Sequence, residues 1–238
     1  MAGETIKTEA ICLDVRPWSR TSHVVSWLTP HGQVASLVKG AVRAHSAFLG
    51  QYDLNYTCEI VYYARARGEL HALRDCAPVD MRESLRGDWR ALALAGYFRS
   101  LAGMLAPQGA DCRSWYDLLA RALADVSPHP GCLVRFELAV LSLAGLAPDF
   151  SGYDRAAEWS PFSIEAGVFG GAGRSVRVSR EVAAYLHGGG RNEKNPQTPL
   201  DAARVIGVFY QFHLDCASDV RRAVFGMVVN NKEGNGQR

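Results

Sequence analysis

The sequence predicts an α+β protein, with a small five-stranded β-barrel over about residues 1–80 and an α-helical domain over about 81–238. Three observations lead there. Apolar residues recur with a period of two through the first 80 or so positions, as they do in half-buried strands. From Ser84 the period becomes helical. Between about 150 and 180 the helical period lapses among glycines, which predicts a small irregular or hairpin insert.

The strands follow in order. Ile11, Leu13 and Val15 alternate with Ala10, Cys12 and Asp14. Val24, Val25, Trp27 and Leu28 make a second β-rich run, closed by a turn at Thr29-Pro30-His31-Gly32. Val34, Ser36 and Val38 alternate through a third. Leu54, Tyr56, Cys58, Ile60 and Tyr62 share one face of a fourth, and a fifth, Glu69 to Asp75, follows a turn at Arg67-Gly68. This pattern suits a small barrel and does not by itself separate an OB-fold from an SH3-like barrel.

The helices come next. Leu94, Tyr97, Phe98, Leu101 and Leu105 fall on one face, as do Trp115, Leu118, Leu119, Ala122 and Val126. Leu133 to Leu146 is apolar nearly all round, interrupted by Arg135 and Glu137, which predicts a central helix between Pro130 and Pro148. A short helix is expected over Val182–Leu186, a longer one carries Ala202, Ile206, Phe209, Tyr210 and His213, and a last one spans Ser218–Val229. The tail from Asn230 is expected to be disordered.

A chain of 238 residues, 48% hydrophobic and 21% charged, builds one large core or two smaller ones. No stretch reaches the ~18 uninterrupted apolar residues of a membrane helix. The segment Met1–Glu9 has no apolar core of a secretory signal, so a soluble cytoplasmic protein is expected. The six cysteines, Cys12, Cys58, Cys76, Cys112, Cys132 and Cys216, form no C-x-x-C pair and read as buried, reduced thiols. No close Cys/His pairs ask for zinc, so no metal is expected. There is no phosphate-binding glycine loop after a strand, no zinc-protease motif and no nucleophile elbow, so neither an enzyme nor a cofactor is expected. His187 reads as a helix end and His213 as a satisfied core histidine.

The net charge of +2 is modest, but its distribution is not even. From Val15 to Tyr52 there is no Asp or Glu, whereas Arg16, Arg20, Lys39 and Arg43 lie there with His23, His31 and His45. Single-strand nucleic-acid binders combine cations that follow the phosphates with aromatics on which bases stack. Arg16, Arg20, Lys39 and Arg43, with the intervening Gly40, supply the first requirement. Trp18, His45 and Phe48 supply the second. Alternatively, Trp18 and Phe48 belong to the core and the cations merely solvate a surface.

The runs Glu9-Ala10-Ile11-Cys12-Leu13, Arg16-Pro17-Trp18-Ser19-Arg20-Thr21-Ser22, Leu28-Thr29-Pro30-His31-Gly32 and Lys39-Gly40-Ala41-Val42-Arg43 resemble the opening of the RecO family. Phe136–Leu141 and Ala144-Gly145-Leu146-Ala147-Pro148-Asp149 are similar to its central helix and following turn. That resemblance implies an OB-fold and a non-enzymatic mediator of DNA repair in the cytoplasm, associated with the nucleoid. It also implies single-stranded DNA binding and annealing, partnership with RecR, contact with the C-terminal tail of the single-strand binding protein, and help in loading RecA. Many members carry a four-cysteine zinc module after the turn. Residues 149–180 here contain no cysteine, so this chain resembles the zinc-free type. A receptor for an acidic tail needs a cation beside an apolar groove, and Arg135, then Arg121, are the candidates. Arg135 has the alternative of a local ion pair with Glu137 or Asp117. The competing function is a protein-interaction adaptor whose barrel binds no DNA.

Overall fold

The computed structural model describes residues 4–64, 70–108, 111–191, 195–214 and 218–229. The expected turn at Arg67-Gly68, Cys216 and the tail from Asn230 lie outside these residues. The chain divides into two compact units, Met1–Asp125 and Val126–Arg238.

In the first unit, β1 (Thr5–Ser19), β2 (Ser22–Thr29), β3 (Gly32–Val38), β4 (Thr57–Tyr63) and β5 (Leu70–Asp80) close a barrel in the order β1-β2-β3-β5-β4. Neighbours are antiparallel except β3 and β5, which run parallel with Ala35 opposite Leu70 and Leu37 opposite Ala72. This is the OB-type barrel that the family resemblance implied, and it settles the choice that the strand pattern left open. The long β1 pairs with β4 through Thr5–Ile11 and with β2 from Ile11 onward, and a bulge between Cys12 and Asp14 bends it between partners. The fourth strand starts at Thr57 rather than Leu54. Asn55 takes a left-handed conformation, φ 69°, so Leu54 is turned out to solvent.

Trp27 fills the barrel centre, wholly buried, and its indole N–H donates to Ser36 Oγ at 2.8 Å. Cys12, Cys58 and Cys76 are free thiols in the same core. Burial pushes the Cys12 thiol up, and a hydrogen bond with Cys58 together with burial does the same for Cys76. Both stay protonated and pack as small hydrophobes.

Helices α1 (Trp89–Leu105) and α2 (Arg113–Ala124) belong to this unit. Asp88 caps α1, accepting from the backbone of Arg90 and Ala91. The Arg99 guanidinium donates to the Leu13 carbonyl, which the β1 bulge leaves free of the ladder. Gln33 Nε2 donates to the carbonyls of Gly103 at 3.1 Å and Ala106 at 2.7 Å. Tyr116 donates to Glu9 Oε2 at 3.0 Å. These long-range bonds carry the compact unit to Asp125, well past the change from strand to helix near residue 80.

The second unit contains α3 (Pro130–Leu143), α4 (Arg180–His187), α5 (Gln197–His213) and α6 (Ser218–Val229). Pro130 stands at the first position of α3, where its missing N–H costs nothing, and His129 caps it. Where an irregular or hairpin insert was expected there is a three-stranded antiparallel sheet. Its strands are β6 (Trp159–Ser163), β7 (Val168–Phe169) and β8 (Ser175–Ser179), in the order β7-β6-β8. Strands of two to five residues between glycines give an alternation too short to fix more than a hairpin. Phe162, fully buried, holds the sheet by stacking on Phe150 with centroids 4.9 Å apart.

Glu137 of α3 is completely buried. Arg221 of α6 grips it through Nε–Oε1 at 2.7 Å and Nη2–Oε2 at 2.8 Å, and Nη2 also donates to the Ala203 carbonyl at 2.8 Å. Tyr210 donates to the Glu137 carbonyl at 3.0 Å, so α3, α5 and α6 meet in one polar network. Gly207 makes room for it, since a Cβ there would land on the Arg221 guanidinium. His213 Nε2 lies 2.9 Å from the Ile164 carbonyl, which only accepts, so that nitrogen carries the proton.

Candidate nucleic-acid interface

The ends of β1 and β2 form a tight hairpin, Ser19 opposite Ser22, with Arg20 and Thr21 at its tip. Trp18 stands on this hairpin with 63% of its surface exposed, so it is not a core residue. Lys39 follows β3, and Gly40, at φ 67°, turns the chain in a conformation that disfavours a side chain. Gly40 N donates to Ser22 Oγ at 3.2 Å and Val42 N to the Thr21 carbonyl at 3.4 Å. Those two bonds hold the loop after β3 against the hairpin. Between them runs a groove of about 400 Å³, lined by Trp18, Ser19, Ser22, Leu37, Lys39, Gly40 and Arg43. Arg43 lies across Gly40, where a Cβ would sit 3.2 Å from its Cδ.

Four of the eight candidates, Trp18, Lys39, Gly40 and Arg43, therefore meet in one groove. Arg16 and Arg20 are on the same hairpin but outside the lining. Arg16 is paired with Asp14, which sits one position before the acid-free window. Arg20, Lys39 and Arg43 have no acidic partner among the described residues. His45 is exposed in the loop beyond, and Phe48 is half-buried, packed against the barrel core with Tyr52. Tyr52 in turn hydrogen-bonds His23 Nδ1 at 2.9 Å. Ser19, Ser22 and Leu37 complete the groove without having been singled out in sequence. They lack charge and ring, and only the strand register places them there.

The groove offers an exposed indole, two cations free of internal neutralisation, and two hydroxyls. That set matches a phosphate backbone with a base laid on a ring. Of the helical candidates, Arg121 is exposed in the last turn of α2, in the first unit, and Arg135 is exposed on α3, in the second. Glu137 belongs to Arg221, so it is not the partner of Arg135. The Arg135 stem passes Gly190, whose absent Cβ would fall 3.0 Å from Cγ. Among the described residues no three His, Cys, Asp or Glu gather as metal ligands, and no helix is long and apolar enough to cross a membrane.

The description "Recombination protein O N terminal" matches residues 1–82, and "Recombination protein O C terminal" matches residues 86–217. The chain is 29% identical over 149 residues to the DNA repair protein RecO of Anaeromyxobacter dehalogenans (strain 2CP-C), covering 61% of this chain and 59% of that one. To the DNA repair protein RecO of Roseiflexus sp. (strain RS-1) it is 28% identical over 151 residues, 62% of this chain and 53% of that one. To that of Xanthomonas euvesicatoria pv. vesicatoria (strain 85-10) it is 36% identical over 142 residues, 58% of each. The match thus spans little more than half the length of these relatives. With both terminal regions of the family matched along one chain and an OB barrel at its start, the chain belongs to the RecO family.

Proposed function

We propose that this protein is a non-enzymatic recombination mediator that binds and anneals single-stranded DNA through the barrel. The observation that carries the reading is the groove in which Trp18 stands exposed beside Lys39 and Arg43. In this reading it works in the cytoplasm at the nucleoid. With RecR it helps RecA onto DNA covered by the single-strand binding protein, while its helices receive that protein's tail. The relatives' name, DNA repair protein RecO, supports the repair setting.

Titration of a labelled oligo-dT at two salt concentrations tests the first step. Affinity should fall steeply as salt rises, because each phosphate contact releases a condensed counterion. An absence of binding at either salt would reject it in favour of an adaptor.

Tail recognition is tested separately. Arg135 is exposed, without an ion pair among the described residues, on a helix otherwise apolar at most positions. A fluorescent peptide ending in an acidic, apolar tail should bind Arg135→Ala about tenfold more weakly than wild type, the worth of one charge-assisted hydrogen bond. Equal binding by the folded variant would remove Arg135 from the receptor.

A further inference from the structure

We propose that the DNA path does not end at the Trp18 groove but crosses β3 and β5 to a second stacking platform, Tyr63 with Arg74, on β4 and β5. This extension rests on the DNA-binding reading of the groove. Strand register is its first support. Leu37, a wall of the groove, lies opposite Ala72, and Ala72 lies opposite Tyr63. Residues opposed across neighbouring strands project from the same face. Leu37, Ala72 and Tyr63 therefore form one row on the outside of the barrel, and Tyr63 stands two strand spacings, about 10 Å, from Leu37. The residue between them is an alanine, which leaves the floor low.

The second support is a bulge. Val61 faces Asp75 and Tyr62 faces Leu73, so Arg74 is the extra residue. A bulge re-aims the side chain it carries. Here it sets the Arg74 guanidinium over the Tyr63 ring, 5.8 Å from the centroid. Both residues are exposed, Tyr63 by 42%, and Arg74 has no ion pair among the described residues. Neither nearby acid forms an ion pair with Arg74 among the described residues. Asp75 Oδ1 accepts from Cys76 N at 2.9 Å, and Glu59, on the same face of β4, is bound by Lys7 at 2.8 Å. An exposed ring with a cation beside it recurs here, as an exposed ring and cations share the lining of the groove. A strand laid across the row meets a ring, a low floor, then a second ring.

Labelled oligo-dT of about 5 and about 15 nucleotides, the range of single OB-fold sites, separates the platforms. Tyr63→Ala should bind the longer oligonucleotide about tenfold more weakly and the shorter one as wild type does. Tyr63→Phe, which keeps the ring, should match wild type with both. Arg74→Ala should lower the salt slope for the longer one by about 0.7. If Tyr63→Ala and Arg74→Ala bind the longer DNA as wild type does while Trp18→Ala weakens both lengths, the extension falls and the groove stands. Equal weakening of both lengths by Tyr63→Ala also overturns the two-platform path. Failure of wild type to bind either length removes the reading beneath it.

Discussion

Arg221→Met should destabilise the protein by about 3–5 kcal/mol, the range for breaking a buried ion pair by removing one partner. Glu137 is wholly buried and three of its network's bonds end on one guanidinium. Without it the buried carboxylate loses the two charge-assisted hydrogen bonds that Arg221 supplies. Replacing both partners, Glu137→Met with Arg221→Met, should recover much of the loss, because apolar groups of similar volume leave no charge in the interior. Denaturant unfolding of the two variants against wild type checks this. A single-variant loss under about 1 kcal/mol, typical of an exposed pair, would show that water reaches the carboxylate.

Lys39→Ala with Arg43→Ala should reduce the salt slope of oligo-dT binding by about 1.4, two contacts at roughly 0.7 each for single strands. Affinity at low salt should drop at least about tenfold. Both side chains are exposed at the groove and neither stabilises the barrel through an ion pair among the described residues, so the melting temperature should hold. Arg16→Ala should do less to the slope, since Asp14 already offsets that charge. An unaltered slope in the double variant, measured by fluorescence anisotropy across a salt series, would exclude the groove as the phosphate path.

What the sequence revealed and withheld follows from the range of each interaction. Period-two alternation through Val25, Trp27, Val38 and Ile60 marked the barrel because burial repeats locally along each strand. The acid-free window marked the groove because Lys39 and Arg43 are close in sequence as well as in space. Leu37 was invisible as a groove wall, and Tyr63 as its neighbour in register, because pairing of β3 with β5 and β5 with β4 is set by closure. A local ion pair of Arg135 with Glu137, two positions away, was one alternative that the sequence left open. Successive odd positions of a helix point apart, and the true partner of Glu137 came from α6, 84 positions along. Of the sheet of β6, β7 and β8 the sequence offered at most a hairpin, because no strand in it exceeds five residues.

Barrel closure has a consequence for how the chain comes into being. β3 finds its second neighbour only when Leu70–Ala72 arrives, so a nascent chain through Tyr63 carries β3 and β4 as open edges with unpaired backbone groups. Pairings between distant segments form late, after the entropy of closing the intervening loop has been met. Leu37 is anchored from behind by that same late contact, so the groove acquires its wall at the final step of barrel assembly. A chain cut short before Leu70 therefore exposes two sticky edges and lacks a fixed groove, which makes premature termination a route to aggregation and not to a smaller working protein.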